Sequence, residues 1–433
     1  MRMLRRGSRG NDVAEVQVRL SELGYIPGPI DGIFGPKTEA AVIRFQKDRG
    51  LNPDGIVGPL TYQALFQPGP QPGYVLYTIK AGDTFYKLSL AFGVSLDEII
   101  AANPGVDPYQ LRIGQQVKIP KGGPGRRHTF SAWIPYWVQQ EAMAVVRQHA
   151  ELMTTLSPFW YELTPTGDLL LYPNAEDPSL IEFARSRGIE LIPLVANNYD
   201  RQLISTVLNN PDLRQRNVAQ IVSKVRSMNY TGIEIDYENI AAADRELFVL
   251  FLRELKAALA PYNKKLYVAI QAKTRADEPV SIGHDYGGIG AAVDVVRLML
   301  YDYSWDNPGP IAPASWIRQV LDYAVTVIPP AKLEAGLPTY GYDWGTTRRS
   351  ITYDDAIRLA QQHGAQIIQD PQRGPHFNYT DADGIAHQVW FTNALNFATF
   401  VDIVNQYNLR GISIWHPGGD DPQIYTVIQD RLE

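Results

Sequence analysis

Three acids separated by single apolar residues stand in Tyr230-Thr-Gly-Ile-Glu-Ile-Asp-Tyr-Glu238, where Glu234, Asp236 and Glu238 alternate with Ile233, Ile235 and Tyr237. In an extended strand, side chains two residues apart share a face, so the acids line one side and the apolar residues the other. Carboxyls crowded in this way raise one another's proton affinity. An acid that stays protonated near neutral pH beside an ionised neighbour is what general acid–base catalysis requires. The competing picture is an acidic edge strand facing water. The apolar flanks and the central position of the segment speak against it.

Other chemistries find less support. With no Cys, the chain has no thiol nucleophile, thiolate metal site or disulfide framework. Its seven His form no His-Glu-x-x-His motif or tight His/Asp cluster, so no metal and no cofactor are expected. His376 and His387 flank a hairpin pattern and are expected at the surface. A net charge of −6 offers no basic field for nucleic acid or anionic lipid. No apolar run is long enough to span a membrane. The 24 Tyr and 8 Trp suit a carbohydrate ligand, and a large core explains them equally well. The basic start, Met1 to Ser8, runs into polar Arg9-Gly-Asn-Asp12, so no signal peptide is visible.

Two Pro/Gly-rich breaks, Gln67 to Gly73 and Lys121 to Arg127, read as linkers. They predict domains at 1–66, 75–120 and 128–433. The last alternates strands with helical patterns. Its candidate strands are Phe130–Pro135, Leu152–Phe159, Glu190–Ala196, Gly232–Glu238, Lys265–Ala272, Val293–Tyr301, Lys332–Pro338 and Gly411–Trp415. Eight strands with intervening helices predict an α/β fold, a (β/α)₈ TIM barrel. One such helix is Arg245 to Leu259, with Leu247, Leu250, Phe251 and Leu255 as its apolar positions. The connection from Tyr340 to Arg410 exceeds one helix and contains a hairpin pattern, Phe377 to Trp390, turning at Asp383-Gly384. In a barrel the apolar face of Gly232–Glu238 meets the helices and the acids point inward. Glu238 is then nearest the C-terminal mouth, where barrel enzymes work. Tyr136, Trp137, Trp160, Asn197 and Gln271 lie at strand C-termini and are candidates to line sugar subsites. Core packing accounts for the aromatics equally well.

The two small segments carry motifs of their own. Asp31-Gly-Ile-Phe-Gly-Pro-Lys-Thr38 recurs as Asp54-Gly-Ile-Val-Gly-Pro-Leu-Thr61, each copy a Gly turn opening a helix. This all-α bundle resembles the peptidoglycan-binding domain 1 family, which implies a glycan-binding role. Tyr77 to Pro120 reads as β-α-α-β, with Ser95 and Glu98 as a capping box, and resembles a LysM domain. That resemblance implies a groove for N-acetylglucosamine-containing chains lined by Gly82, Asp83, Thr84, Phe85, Asn103, Pro104 and Ile113. Capping of the helix explains Asp83 and Thr84 without any ligand.

The third segment resembles glycoside hydrolase family 18, whose fourth barrel strand ends in Asp-x-x-Asp-x-Asp-x-Glu. Here Glu238 is the terminal acid and Asp236 its partner, while Thr231 and Glu234 depart from the pattern. Leu298-Met-Leu-Tyr-Asp-Tyr303 resembles the family's Met-x-Tyr-Asp word and brings in Met299, Tyr301 and Asp302. Gly336 to Tyr342 and Gly411 to Trp415 match the next two strand ends, with Trp415 under the reacting sugar. The resemblance implies a retaining, substrate-assisted hydrolysis, an exception to the two-carboxylate scheme. In it Glu238 is acid and base, Asp236 orients the acetamido group, Glu234 tunes the Asp236 proton and Tyr301 hydrogen-bonds the acetamido oxygen. Together with LysM, and with Gly309-Pro-Ile-Ala-Pro313, the pattern is similar to spore cortex-lytic glucosaminidases of the SleL/YaaH kind. The expectation is therefore a monomeric N-acetylglucosaminidase acting on peptidoglycan in the cell wall or spore, outside the cytoplasm. A chitinase and a non-catalytic glycan-binding protein are the alternatives. The second typically lacks the terminal acid.

Overall fold

The computed structural model describes residues 2–22, 25–48, 52–66, 74–80, 83–85, 88, 99–100, 102–103, 106–108, 111–120 and 128–432. The chain falls into two compact units that part at residues 125 and 126.

In the second unit, eight parallel strands close into a barrel. They are β1 (Thr129–Ile134), β2 (Thr155–Leu163), β3 (Leu194–Ala196, preceded in line by Glu190–Leu191), β4 (Gly232–Asp236), β5 (Lys265–Gln271), β6 (Val295–Met299), β7 (Leu333–Pro338) and β8 (Gly411–Trp415). Each pairs with the next, and β8 pairs with β1 to complete the circle. The strands are rich in Val, Ile and Leu because both their faces are covered, as parallel strands require. Surrounding helices pack an apolar stripe against them. On the helix Arg245–Leu259 that stripe is Phe248, Phe251, Leu252, Leu255 and Leu259. Leu250, expected inside, is 39% exposed. The stripe runs through Phe248 and Leu252 instead, leaving Leu250 on the opposite side of the helix.

Between β7 and β8 an insertion forms a four-stranded antiparallel sheet, ordered Arg348–Ile351, Gly341–Trp344, Ala386–Phe391, His376–Thr380. The helix Tyr353–Gln362 packs on it through Ala356, Leu359 and Ala360. The hairpin turn is held by Asp381, whose Oδ1 accepts from the Asp383 and Ile385 amides at 3.0 and 2.8 Å, with Gly384 at φ 79°.

In the first unit, the helices Asn11–Glu22, Pro36–Asp48 and Pro59–Phe66 enclose Val13, Val16, Leu20, Phe34, Val42, Phe45 and Leu65. The repeated motif has a structural explanation. Gln17 Nε2 donates to Asp31, the Ile33 carbonyl and Thr38 at 3.0–3.2 Å, and Gln17 Oε1 accepts from the Gly32 amide at 2.9 Å. Gln46 repeats this with Asp54, the Ile56 carbonyl, Thr61 and the Gly55 amide. Each buried glutamine thus locks one copy of the turn to its helix start. Farther along, Tyr74–Thr78 pairs antiparallel with Gln116–Pro120. Most of the two helices expected between them, with the Ser95/Glu98 capping box, lies outside the described residues.

Candidate active site

β4 ends at Asp236, two residues short of the expected strand. The reason is local. The Glu238 amide donates to Asn197 Oδ1 at 2.9 Å, and Asn197 Nδ2 donates to the Glu238 carbonyl at 3.0 Å. Asn197, one residue past β3, thereby takes the place of a strand neighbour. It is fully buried and also donates to the Asp200 carbonyl at 3.2 Å. The expectation that Asn197 lines a sugar subsite is therefore corrected: both of its amide atoms are spent on backbone, and it holds Glu238 in place.

Glu238 lies at the C-terminal mouth of the barrel and accepts from Gln271 Nε2 at 3.2 Å. Loss of water pushes its pKa up to about 7, against the pull of Gln271 and with a further push from Asp302. Two residues deeper, Asp236 is buried, and its Oδ1 has no hydrogen-bond partner among the described residues. Burial raises its pKa first, then the charges of Glu238 and Glu234. The two carboxyls are close enough that the charge on Glu238 raises the proton affinity of Asp236.

Glu234 sits lower still, fully buried. It does not share a hydrogen bond with Asp236, as the tuning role expected. Its carboxyl accepts from Trp133 Nε1 at 3.0 Å and from Arg297 Nη1 at 2.6 Å. The extra methylene of Glu over Asp lets it reach across to β6. Arg297 also binds Glu334 at 2.8 Å, and Arg410 meets the same carboxyl at 3.1 Å. Arg297 and Glu334 were missed in the sequence. Their signal was a lone charge inside each of Val-Val-Arg-Leu-Met and Leu-Glu-Ala-Gly-Leu-Pro.

Aromatic rings form the floor. Trp415 ends β8, with Phe159, Trp133, Trp137 and Tyr301 ring centroids at 5.2–6.5 Å from it. Gly336 on β7 makes room, because a Cβ there would stand 2.7 Å from the Trp133 ring. Met299 packs into the same floor. Tyr301 follows β6, and its phenol is held protonated by burial and by the charges of Asp236 and Glu238. Asp302, in the left-handed region at φ 58°, accepts from Tyr342 at 2.8 Å and from Tyr340. Burial pushes its carboxyl up, and the two phenols pull it back. Tyr136 stacks on Tyr172 at 4.6 Å beside the exposed Trp137. Trp160 belongs to the core, its Nε1 donating to Gln139 at 3.0 Å, so the subsite reading fails for it.

Elsewhere the expectations divide. Phe85 is 1% exposed and Asn103 is buried, its amide spent on the Ile99 and Lys118 backbone at 2.6–2.8 Å. Neither lines a groove as expected; both are structural. Asp83 accepts from Tyr77 and the Lys80 amide at 3.0 and 2.7 Å, which is the turn-holding role. Thr84 accepts the Leu88 amide on its carbonyl at 2.9 Å, opening a helical turn. Ile113 is 74% exposed and remains available to a ligand. Gly82 and Pro104 lie outside the described residues. His387 is not a simple surface residue, since it bridges Asp343 at 2.7 Å and Asp381 at 3.3 Å. His376 is stacked on Trp390 at 3.9 Å. Among the described residues no group of side chains is arranged to hold a metal ion, and no helix is long and apolar enough to cross a membrane.

Known families and structures resemble this arrangement. The model of glycosyl hydrolases family 18 matches residues 163–420, that of the putative peptidoglycan binding domain residues 9–65, and that of the LysM domain residues 77–120. The putative sporulation-specific glycosylase YdhD of Bacillus subtilis is 32% identical over 90% of this chain and 94% of its own. The cortical fragment-lytic enzyme of the same organism is 29% identical over 82% of this chain and 98% of its own. The crystal structure of the Bacillus megaterium spore cortex-lytic enzyme SleL superimposes with a TM-score of 0.66 at 28% identity, covering 83% of this chain and 86% of that one.

Proposed function

The chain belongs to glycosyl hydrolases family 18, and from that premise we propose that it hydrolyses β-1,4 glycosidic bonds after N-acetylglucosamine in peptidoglycan. One observation carries the reading. Glu238, with a pKa near 7, stands over a buried Asp236 at the mouth of the barrel, above the aromatic floor of Trp415. That is an acid able to give a proton and take one back near neutral pH.

The mechanism is retaining and substrate-assisted. Glu238 protonates the glycosidic oxygen as the bond to C1 breaks. The acetamido oxygen of the same sugar attacks C1 and closes an oxazolinium ring. Asp236 holds the acetamido N–H and balances the developing positive charge. Tyr301 donates to the acetamido oxygen and aims it. Glu238, now ionised, removes a proton from the water that reopens the ring, which restores the starting configuration. Asp236 ends β4 two residues before Glu238, a spacing of roughly 6–7 Å in extended chain, which suits gripping the acetamido group below the sugar. Gln271 and Asn197 orient Glu238, while Met299, Asp302, Trp415 and Tyr136 shape the sugar site.

Peptidoglycan is favoured over chitin by the matches at residues 9–65 and 77–120 and by the names of the relatives. On this reading residues 1–66 and 75–120 bind the wall, residues 128–433 catalyse, and one chain acts alone in the cell wall or spore cortex. Chitin remains a second reading because a chitinase from Chromobacterium violaceum matches the barrel, at 29% identity and a TM-score of 0.66 over 70% of this chain. Mass spectrometry of fragments released from cortex and vegetative peptidoglycan, beside chitin oligomers, separates the two. Fragments ending in reducing N-acetylglucosamine support the proposal; turnover of chitin alone overturns it.

A further inference from the structure

Below the acid pair the barrel interior carries a chain of charge that the reaction scheme leaves without a role. Arg297, in the middle of β6, is fully buried. Its Nη1 donates to Glu234 and to Ser157 Oγ, each at 2.6 Å, and its Nε donates to Glu334 at 2.8 Å. Glu334 in turn takes Arg410 at 3.1 Å, Thr129 at 2.8 Å and Ser131 at 3.2 Å. Trp133 fills the remaining oxygen of Glu234. Burial raises the proton affinity of Glu234, but donors from Trp133 and Arg297 face both of its oxygens, a geometry that suits a carboxylate and leaves no acceptor for an acid proton. Buried ion chains bring little net stability, since desolvation consumes most of the attraction. This one lies directly under Asp236, which gives it a use.

We infer that Arg297 is a positioning residue for the catalytic pair: it anchors Glu234 as a fixed anion beneath Asp236, so that the Asp236 proton is shared upward with Glu238 and the bound sugar, and not downward with Glu234. The inference rests on the assignment of Glu238 and Asp236 as the catalytic pair. Asp236 is faced by Glu234 from its own strand, by Glu238 two residues on, and by Tyr301 after β6, while Asp302 acts on Glu238 and Tyr301. Arg297 and Glu334 lie beyond Glu234. The negative charge of Glu234 adds to the burial and the Glu238 charge that raise the proton affinity of Asp236.

Removing that anion lowers the proton affinity of the pair. Glu234→Gln does so directly. Arg297→Met does so indirectly, because a buried carboxyl deprived of its counter-charge takes up a proton. Arg297→Met also removes a cation, whose loss acts in the opposite direction, so its shift is the smaller of the two. The test is a carboxyl-carbon NMR titration of the full chain labelled at Asp and Glu, with Asp236→Asn and Glu238→Gln assigning the signals. Glu234→Gln should lower the titration of the pair by about one pH unit, and Arg297→Met by less. The basic limb of kcat/KM on a chromogenic N-acetylglucosaminide should move in the same direction. Glu234→Gln is nearly isosteric and keeps the test open if Arg297→Met does not fold. An unmoved titration in folded Glu234→Gln, with only the melting temperature lowered, makes the chain of charge structural and overturns the inference. A wild-type enzyme that cleaves no glycan overturns the functional reading instead, and the NMR titration still decides the role of the Arg297–Glu234 pair.

Discussion

Glu238 holds its proton because it is largely shielded from water and, among the described residues, has one side-chain donor, Gln271, to favour the anion. Replacing Gln271 by Leu removes that donor, so the basic limb of activity should move upward; a downward shift would show that Gln271 does something else. The raised pKa also has a stability sign. The folded state binds the Glu238 proton more tightly than the unfolded chain, whose value is near 4.5. This contribution is fully present below about 4.5 and is lost as the pH rises through about 7. Glu238→Gln should therefore be more stable than wild type above pH 7, by on the order of 1–2 kcal/mol, and melt higher there, with little difference at pH 4. Equal melting curves at pH 8 would contradict the burial account of its acidity.

At the scale of elements, β4 shows what a sequence can reveal. Its period of two put the acids on one face and Ile233, Ile235 and Tyr237 on the other, and the structure buries those apolar side chains among the helices. The partners of the acids were not legible. Arg297, Glu334 and Asn197 come from other strands, and only closure of the barrel decides which of them meet. The strand end was misjudged for the same reason, since a side chain of Asn197 replaces a ladder bond. The LysM-type positions Phe85 and Asn103 are buried because the module needs them for packing and backbone pairing. The helix Arg245–Leu259 offers a direct check of the corrected face. Leu255→Ala should cost about 2–5 kcal/mol, while Leu250→Ala should stay within about 0.5 kcal/mol by denaturant melts. Similar losses at both positions would contradict the packing described.

At the scale of the molecule, the proposed function divides the work between the two units. The acid pair, the aromatic floor and the insertion all belong to residues 128–433, whereas the matches for the glycan-binding modules lie within residues 9–120. A fragment beginning at residue 126 should cleave soluble oligosaccharides at the full-length rate and sediment poorly with insoluble peptidoglycan. Tethering raises local concentration without altering the site. Equal sedimentation of the two forms would contradict a binding role for the first unit.

The most direct test of the whole account is the turnover of Glu238→Gln on purified peptidoglycan glycan chains, with folding checked by circular dichroism. The amide keeps the shape of the side chain and leaves the backbone bonds to Asn197 untouched, but it can neither give the proton to the leaving oxygen nor take one from water. The account predicts a folded protein whose kcat/KM falls by about 10²–10⁴-fold. A folded Glu238→Gln that releases fragments at the wild-type rate would contradict it.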